Sequence, residues 1–119
     1  MKLKSGDMLT VNVENGAMAL LIIGRGDVPR VEKEGRGWND GAKAILGGAD
    51  VAELLYVIGS SGEGGEIGDT GLSVKFRRGV TLGLWHLVLS VDGHSAELSW
   101  PERVLLMHAV RSHAWRLFT

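Results

Sequence analysis

The chain contains no cysteine, which excludes disulfides, thiolate zinc sites and cysteine nucleophiles together. It has only two prolines, one tyrosine and two phenylalanines. It also lacks a long hydrophobic run: the longest, Ala17 to Ile23, falls far short of the roughly 20 apolar residues that a membrane helix needs. The opening Met1-Lys2-Leu3-Lys4-Ser5-Gly6-Asp7 leads into no signal-peptide core, so a cytoplasmic location is expected. Charge of one sign is missing as well. The net charge of -1 argues against a generically basic coat for nucleic acid.

What is present is an ordinary globular composition, with 45% hydrophobic and 23% charged residues in 119. That length buries one real core, so a single α+β domain over residues 1–119 is expected. The charge is unevenly placed. Residues 1–69 sum to -4 and residues 70–119 to +3, so the C-terminal half can present a local positive surface to phosphates.

Leu9, Val11 and Val13 alternate with Thr10, Asn12 and Glu14, and Asn15-Gly16 then supplies a favoured two-residue turn. The return strand, Ala17 to Ile23, is apolar on both faces and is expected to lie centrally in a sheet or to be covered on both sides. Residues 24–38 read as a loop rich in glycine and charge. A short helix is expected from Asn39 or Asp40 to Gly47-Gly48, and a clearer one after Asp50, capped through Glu53 and stopped by Gly59. Glycine, serine and acids dominate residues 59–71, which read as a flexible acidic loop. Neither the Gly-Lys-Ser/Thr ending nor the helix that a phosphate-cradling P-loop requires follows it.

The C-terminal half predicts an antiparallel meander of Leu72 to Arg77, Val80 to Val91 and His94 to Ser99, turning at Arg78-Gly79 and Asp92-Gly93. That register pairs Arg77 with Val80 and Val91 with His94. It gathers Leu72, Val74, Phe76, Trp85, Leu87, Leu89, Ala96 and Leu98 on one face. With the N-terminal hairpin, about five antiparallel strands are expected, packed with helices. Ser99 and Glu102 form a capping box with Pro101 in the first turn of a long C-terminal helix. Leu106, Met107, Val110, Ala114 and Leu117 form one apolar stripe on it. Val104, Leu105, His108 and Trp115 form a second, which a sheet cannot also cover, so these four are expected at a homodimer interface.

The opposite face of the meander carries Ser73, Lys75, Arg77, Leu82, Leu84, His86 and Val88. Such a mixture suits a single-stranded nucleic acid, whose phosphates want cations and whose bases want flat or apolar support. The competing reading covers the apolar members with the hairpin or a helix and leaves Lys75, Arg77 and Arg78 as a solvated hairpin tip. Arg36 and Trp38, among glycines, are candidates to close over bases. Trp85, Trp100 and Trp115 are read as packing residues.

His86 and His94 fall on opposite faces of their hairpin, and His108 and His113 lie five apart on a helix, so no metal-ligand spacing arises. No catalytic constellation and no cofactor motif is legible, so the chain is read as a binding protein, not an enzyme. The antiparallel strands leading through Ser99-Trp100-Pro101-Glu102 into a capped helix, with a glycine-rich acidic insert upstream, resemble small single-strand-binding folds of the Whirly kind. The layout is nearer still to the archaeal ThermoDBP-type single-stranded DNA-binding proteins. That resemblance implies sequence-tolerant binding of single-stranded DNA by a homodimer through basic and aromatic residues. The alternative class is a protein–protein assembly module that uses the C-terminal helix without nucleic acid.

Overall fold

A computed structural model describes residues 2–4, 6–23, 41–60, 64–78 and 85–118, the side chains of 116–118 excepted. The elements run β1 (Met8–Glu14), β2 (Ala17–Ile23), β3 (Ala42–Leu46), α1 (Gly48–Gly59), β4 (Gly65–Glu66), β5 (Leu72–Arg78), β6 (Trp85–Val91), β7 (His94–Leu98) and α2 (Trp100–Phe118). The α+β class expected from the sequence is what forms. The strands make two antiparallel sheets, β1-β2-β3 and β4-β5-β6-β7, so the described residues hold seven strands where about five were expected.

Both tight hairpins form as their turn residues require. Asn15 and Gly16 adopt φ of 51° and 78°, and Asp92 and Gly93 adopt 47° and 82°, the paired left-handed conformations of a type I′ turn. Glu14 therefore faces Ala17, and Val91 faces His94. β2 lies between β1 and β3, which explains its apolar character on both sides. Met18, Leu20 and Ile22 are fully buried with Leu9, Ala44 and Leu46.

Three local expectations are corrected. The short helix expected after Asn39 or Asp40 is β3: Ala42, Ala44 and Leu46 are buried while Lys43 and Ile45 are exposed. That period of two across five residues defines a strand, and pairing with β2 outweighs the helical propensity of alanine, lysine and leucine. Secondly, α1 starts at Gly48, before Asp50. Asp50 lies in the first turn and its Oδ2 accepts a hydrogen bond from the Gly47 N–H at 3.0 Å. Thirdly, the described part of the acidic loop is ordered. Gly65 and Glu66 pair with Val74 and Ser73, Ile67 is buried, and the Thr70 hydroxyl donates to the Ile67 carbonyl at 2.6 Å. One buried isoleucine and a threonine-closed turn supply the anchor that composition hid. The expected loop at 24–38 lies outside the described residues.

The meander register also differs. Arg77 faces His86 and Arg78 faces Trp85, so the strands are offset by six residues from the pairing that a turn at Arg78-Gly79 gives, and residues 79–84 lie between them. An even offset leaves every side chain on its expected face. Leu72, Val74, Leu87, Leu89, Ala96 and Leu98 are all buried, with Phe76 half-buried.

α2 lies over the core and touches β1, β2, β6 and β7, while α1 packs beside it against β2 and β3; β2 approaches β7 where the two sheets meet. Leu106, Val110 and Ala114 are the buried stripe of α2. Its start is fixed by Glu102, whose Oε1 accepts from the Ser99 N–H at 2.8 Å and the Ser99 hydroxyl at 2.9 Å. Its other oxygen accepts from the Lys4 N–H at 2.8 Å and ties down the N-terminal segment. Burial alone would raise this carboxyl, but the Ser99 and Lys4 N–H groups, the Ser99 hydroxyl and the Lys4 charge outweigh it, so its pKa lies below the ordinary glutamate value.

Candidate functional site

α2 packs on the inner side of the β5–β7 sheet, and the outer face carries Ser73, Lys75 and Arg77 beside His86, Val88, Ser90, Ser95 and Glu97. Lys75 faces Val88, which faces Glu97 on the third strand, and Arg77 faces His86. Lys75 and Arg77 are exposed, and His86 and Val88 are partly so. Both readings of this face leave Lys75 and Arg77 solvated; Leu82 and Leu84, which the competing reading covers, lie outside the described residues, and Val88 is half-buried.

Glu97 organises this face. One oxygen accepts from Arg77 Nη1 at 3.1 Å and the other lies 2.6 Å from His86 Nδ1. The carboxylate thus holds a guanidinium and an imidazole in one row along the sheet and offsets part of the Arg77 charge. Arg78, the next residue, points to the other side of its strand, where its guanidinium lies 5.7 Å from the Trp85 ring centroid. Of the residues expected to contact nucleic acid, Lys75, Arg77 and His86 come together on one face, whereas Arg78 lies at the strand end on the opposite side, against Trp85. Arg36, Trp38, Leu82 and Leu84 lie outside the described residues.

Behind this sheet end lies a residue that sequence reasoning passed over. Arg103 is only 6% exposed. Its Nη2 donates to the carbonyls of Ile58 at 2.6 Å and Ser60 at 3.4 Å, and its Nη1 to the Trp85 carbonyl at 3.1 Å. Its guanidinium lies 5.0 Å from the ring centroids of both Phe76 and Trp100. α1 has no basic residue in its own last turn, so α2 supplies the cation that the negative end of that helix attracts. Burial pushes the guanidinium pKa below its ordinary value, yet arginine remains charged in proteins. Arg103 thereby locks α1, α2, β5 and β6 into one unit. The signal for it was present, since Arg103 falls three and seven residues before the buried Leu106 and Val110.

Next to it opens a pocket of about 470 Å³ lined by Ile58, Gly59, Trp85, Trp100, Val104 and Met107. The expectation that three tryptophans are packing residues is corrected here. Trp85 is half-buried, but Trp100 is 45% and Trp115 73% exposed, because both sit on the side of α2 turned from the sheets. Val104 and Leu105 share that side at 51% and 56% exposure, and His108 is exposed with them. The second stripe thus faces outward along the length of α2. Among the described residues no three histidine, aspartate or glutamate side chains come together to hold a metal. No described helix is long and apolar enough to cross a membrane.

No protein-family model matches the chain, and no curated protein matches it. A solved structure does. The chain is similar to the Trypanosoma brucei MRP1/MRP2 crystal structures, with a TM-score of 0.54 over 93% of this chain and 75% of the other at 14% identity. At that identity the likeness is one of fold.

Proposed function

We propose that this protein binds single-stranded nucleic acid, with DNA favoured, without sequence preference and without catalysis, through the outer face of the β5–β7 sheet. It works in the cytoplasm, as a homodimer, in the manner expected of ThermoDBP-type proteins. The observation that carries the reading is the uncovered row of Lys75, Arg77 and His86 beside Val88, on a chain whose net charge is otherwise slightly negative. Lys75, Arg77 and Arg78 contact phosphates, while the His86 ring and Val88 support bases whose flat faces need no hydrogen-bond readout. Ser73, Ser90 and Ser95 offer hydroxyls along the same track. The small number of cations implies two or three phosphate contacts. Log affinity then falls with log salt at a slope of about -1.4 to -2.

The test is fluorescence anisotropy with labelled single-stranded and duplex oligonucleotides. Preference for the single strand with that shallow salt slope is the expected result. Binding that is absent at low salt sinks the reading.

A second reading, an assembly module, is favoured by the exposed apolar side of α2. Two tryptophans, a valine and a leucine facing solvent on one helix make a patch of the kind that marks protein contacts. The two readings are compatible because the surfaces are separate.

A further inference from the structure

The outward side of α2 has the spacing of a helix-pairing seam. Pro101, Val104, His108, Arg111 and Trp115 recur at intervals of three and four, and all five are exposed. Such a repeat lines up along one edge of a helix and is the pattern by which two helices interlock. The seam is also unequal along its length. At its N-terminal end Pro101 and Val104 are small, and Val104 lines the 470 Å³ pocket together with Trp100, the residue before Pro101, Trp85 and Met107. At its C-terminal end stands the Trp115 indole. His108 lies seven residues from Pro101 and seven from Trp115, about 10 Å either way along the axis.

From this symmetry we infer that α2 pairs with α2 of a second copy, antiparallel, on a two-fold axis through His108. The register sets Val104 against the partner's Ser112, Leu105 against the partner's Arg111, and Pro101 against the partner's Trp115. Each Trp115 then enters the pocket beside the other copy's Trp100, so neither pocket is complete in one protomer. A parallel pair would stack indole on indole at one end and leave both pockets open at the other. It would also align the two helix dipoles unfavourably. The inference rests on the assembly reading above and is independent of nucleic acid.

The size of the seam sets the strength. Trp100 and Trp115, at 45% and 73% exposure and up to about 250 Å² each, offer roughly 300 Å² of indole. Val104 and Leu105 add less. The total lies at the small end of specific interfaces, where about 800 Å² per partner is standard, so the dimer is reversible and forms at micromolar concentration or above.

Absence of cysteine from the chain makes the register directly testable. Under mild oxidation at several hundred micromolar, His108→Cys gives a disulfide-linked dimer, because only a residue on the axis meets itself. Val104→Cys alone stays uncrosslinked, since its two copies stand about 12 Å apart along the pair, while a mixture of Val104→Cys and Ser112→Cys crosslinks as a heterodimer. Trp115→Asp, with an unchanged circular dichroism spectrum, is monomeric by sedimentation. A wild-type dimer in which Val104→Cys crosslinks to itself and His108→Cys does not would overturn this register and leave the assembly reading standing. A wild-type chain that sediments as a monomer throughout would overturn both.

Discussion

The outer face of the β5–β7 sheet and the outward side of α2 are both left uncovered by this fold, and their chemistry is opposite. The sheet face is built from short polar residues and cations, with Glu97 holding Arg77 and His86 in place. The helix side is built from Trp100, Val104, Leu105 and Trp115. A surface that keeps its charges organised but uncovered is suited to a charged, mobile ligand. One that exposes indole is suited to a partner that removes it from water. Arg103 lies between them, tying the sheet end to both helices.

That junction gives the largest expected effect. Arg103→Met leaves the Ile58, Ser60 and Trp85 carbonyls without their donor and should cost about 2–4 kcal/mol of stability in denaturant unfolding. Both surfaces should weaken together. If nucleic-acid binding and self-association both survive it unchanged with no loss of stability, Arg103 is not the joint between them.

Charge reversal of the sheet face comes next. Lys75→Glu with Arg77→Glu should lower single-strand affinity at least about tenfold at low salt and reduce the salt slope by about 1.4. Sedimentation of the same variant should be unaltered, which separates this surface from the helix side. Acid should act on the fold through Glu102. Because the folded pKa of Glu102 is lowered, the stability it contributes is present above the ordinary glutamate pKa and is lost as pH falls below it. Thermal melts should therefore drop below pH about 4.5, and Glu102→Ala should flatten that drop while costing about 1 kcal/mol at neutral pH.

The smallest effect is the most informative about the comparison. Glu97→Gln removes the one negative charge that holds Arg77 and His86. If the row serves phosphates, affinity should rise a few-fold; if it serves only the fold, affinity should stay level while stability falls slightly.

Where alternation and turn chemistry agreed, the sequence was readable. The hairpins at Asn15-Gly16 and Asp92-Gly93 and the inner face of the meander follow from left-handed turn residues and a period of two. The even offset of β5 against β6 left the faces intact even though the expected turn at Arg78-Gly79 is not the one that sets the pairing. Reading failed where a single long-range contact decides. β3 is too short to betray its period against helix-forming residues, and Ile67 anchors β4 from within a segment of glycine and acids. The candidate site was half legible: Lys75, Arg77 and His86 followed from the alternation. Arg103 did not, because its partners are backbone carbonyls 18 to 45 residues away in sequence, and no local pattern marks those. Trp100 was read as packing because aromatic residues are usually buried, yet it is 45% exposed; the outward stripe of Val104, Leu105, His108 and Trp115 was legible from helical spacing.

The sheet face is best tried by anisotropy titration of the wild-type chain and the Lys75→Glu, Arg77→Glu variant against one labelled single strand at two salt concentrations. Wild-type binding that weakens with salt, and at least about tenfold weaker, less salt-dependent binding by the variant, is the expected result. Equal affinity and equal salt slope for the two proteins would contradict it.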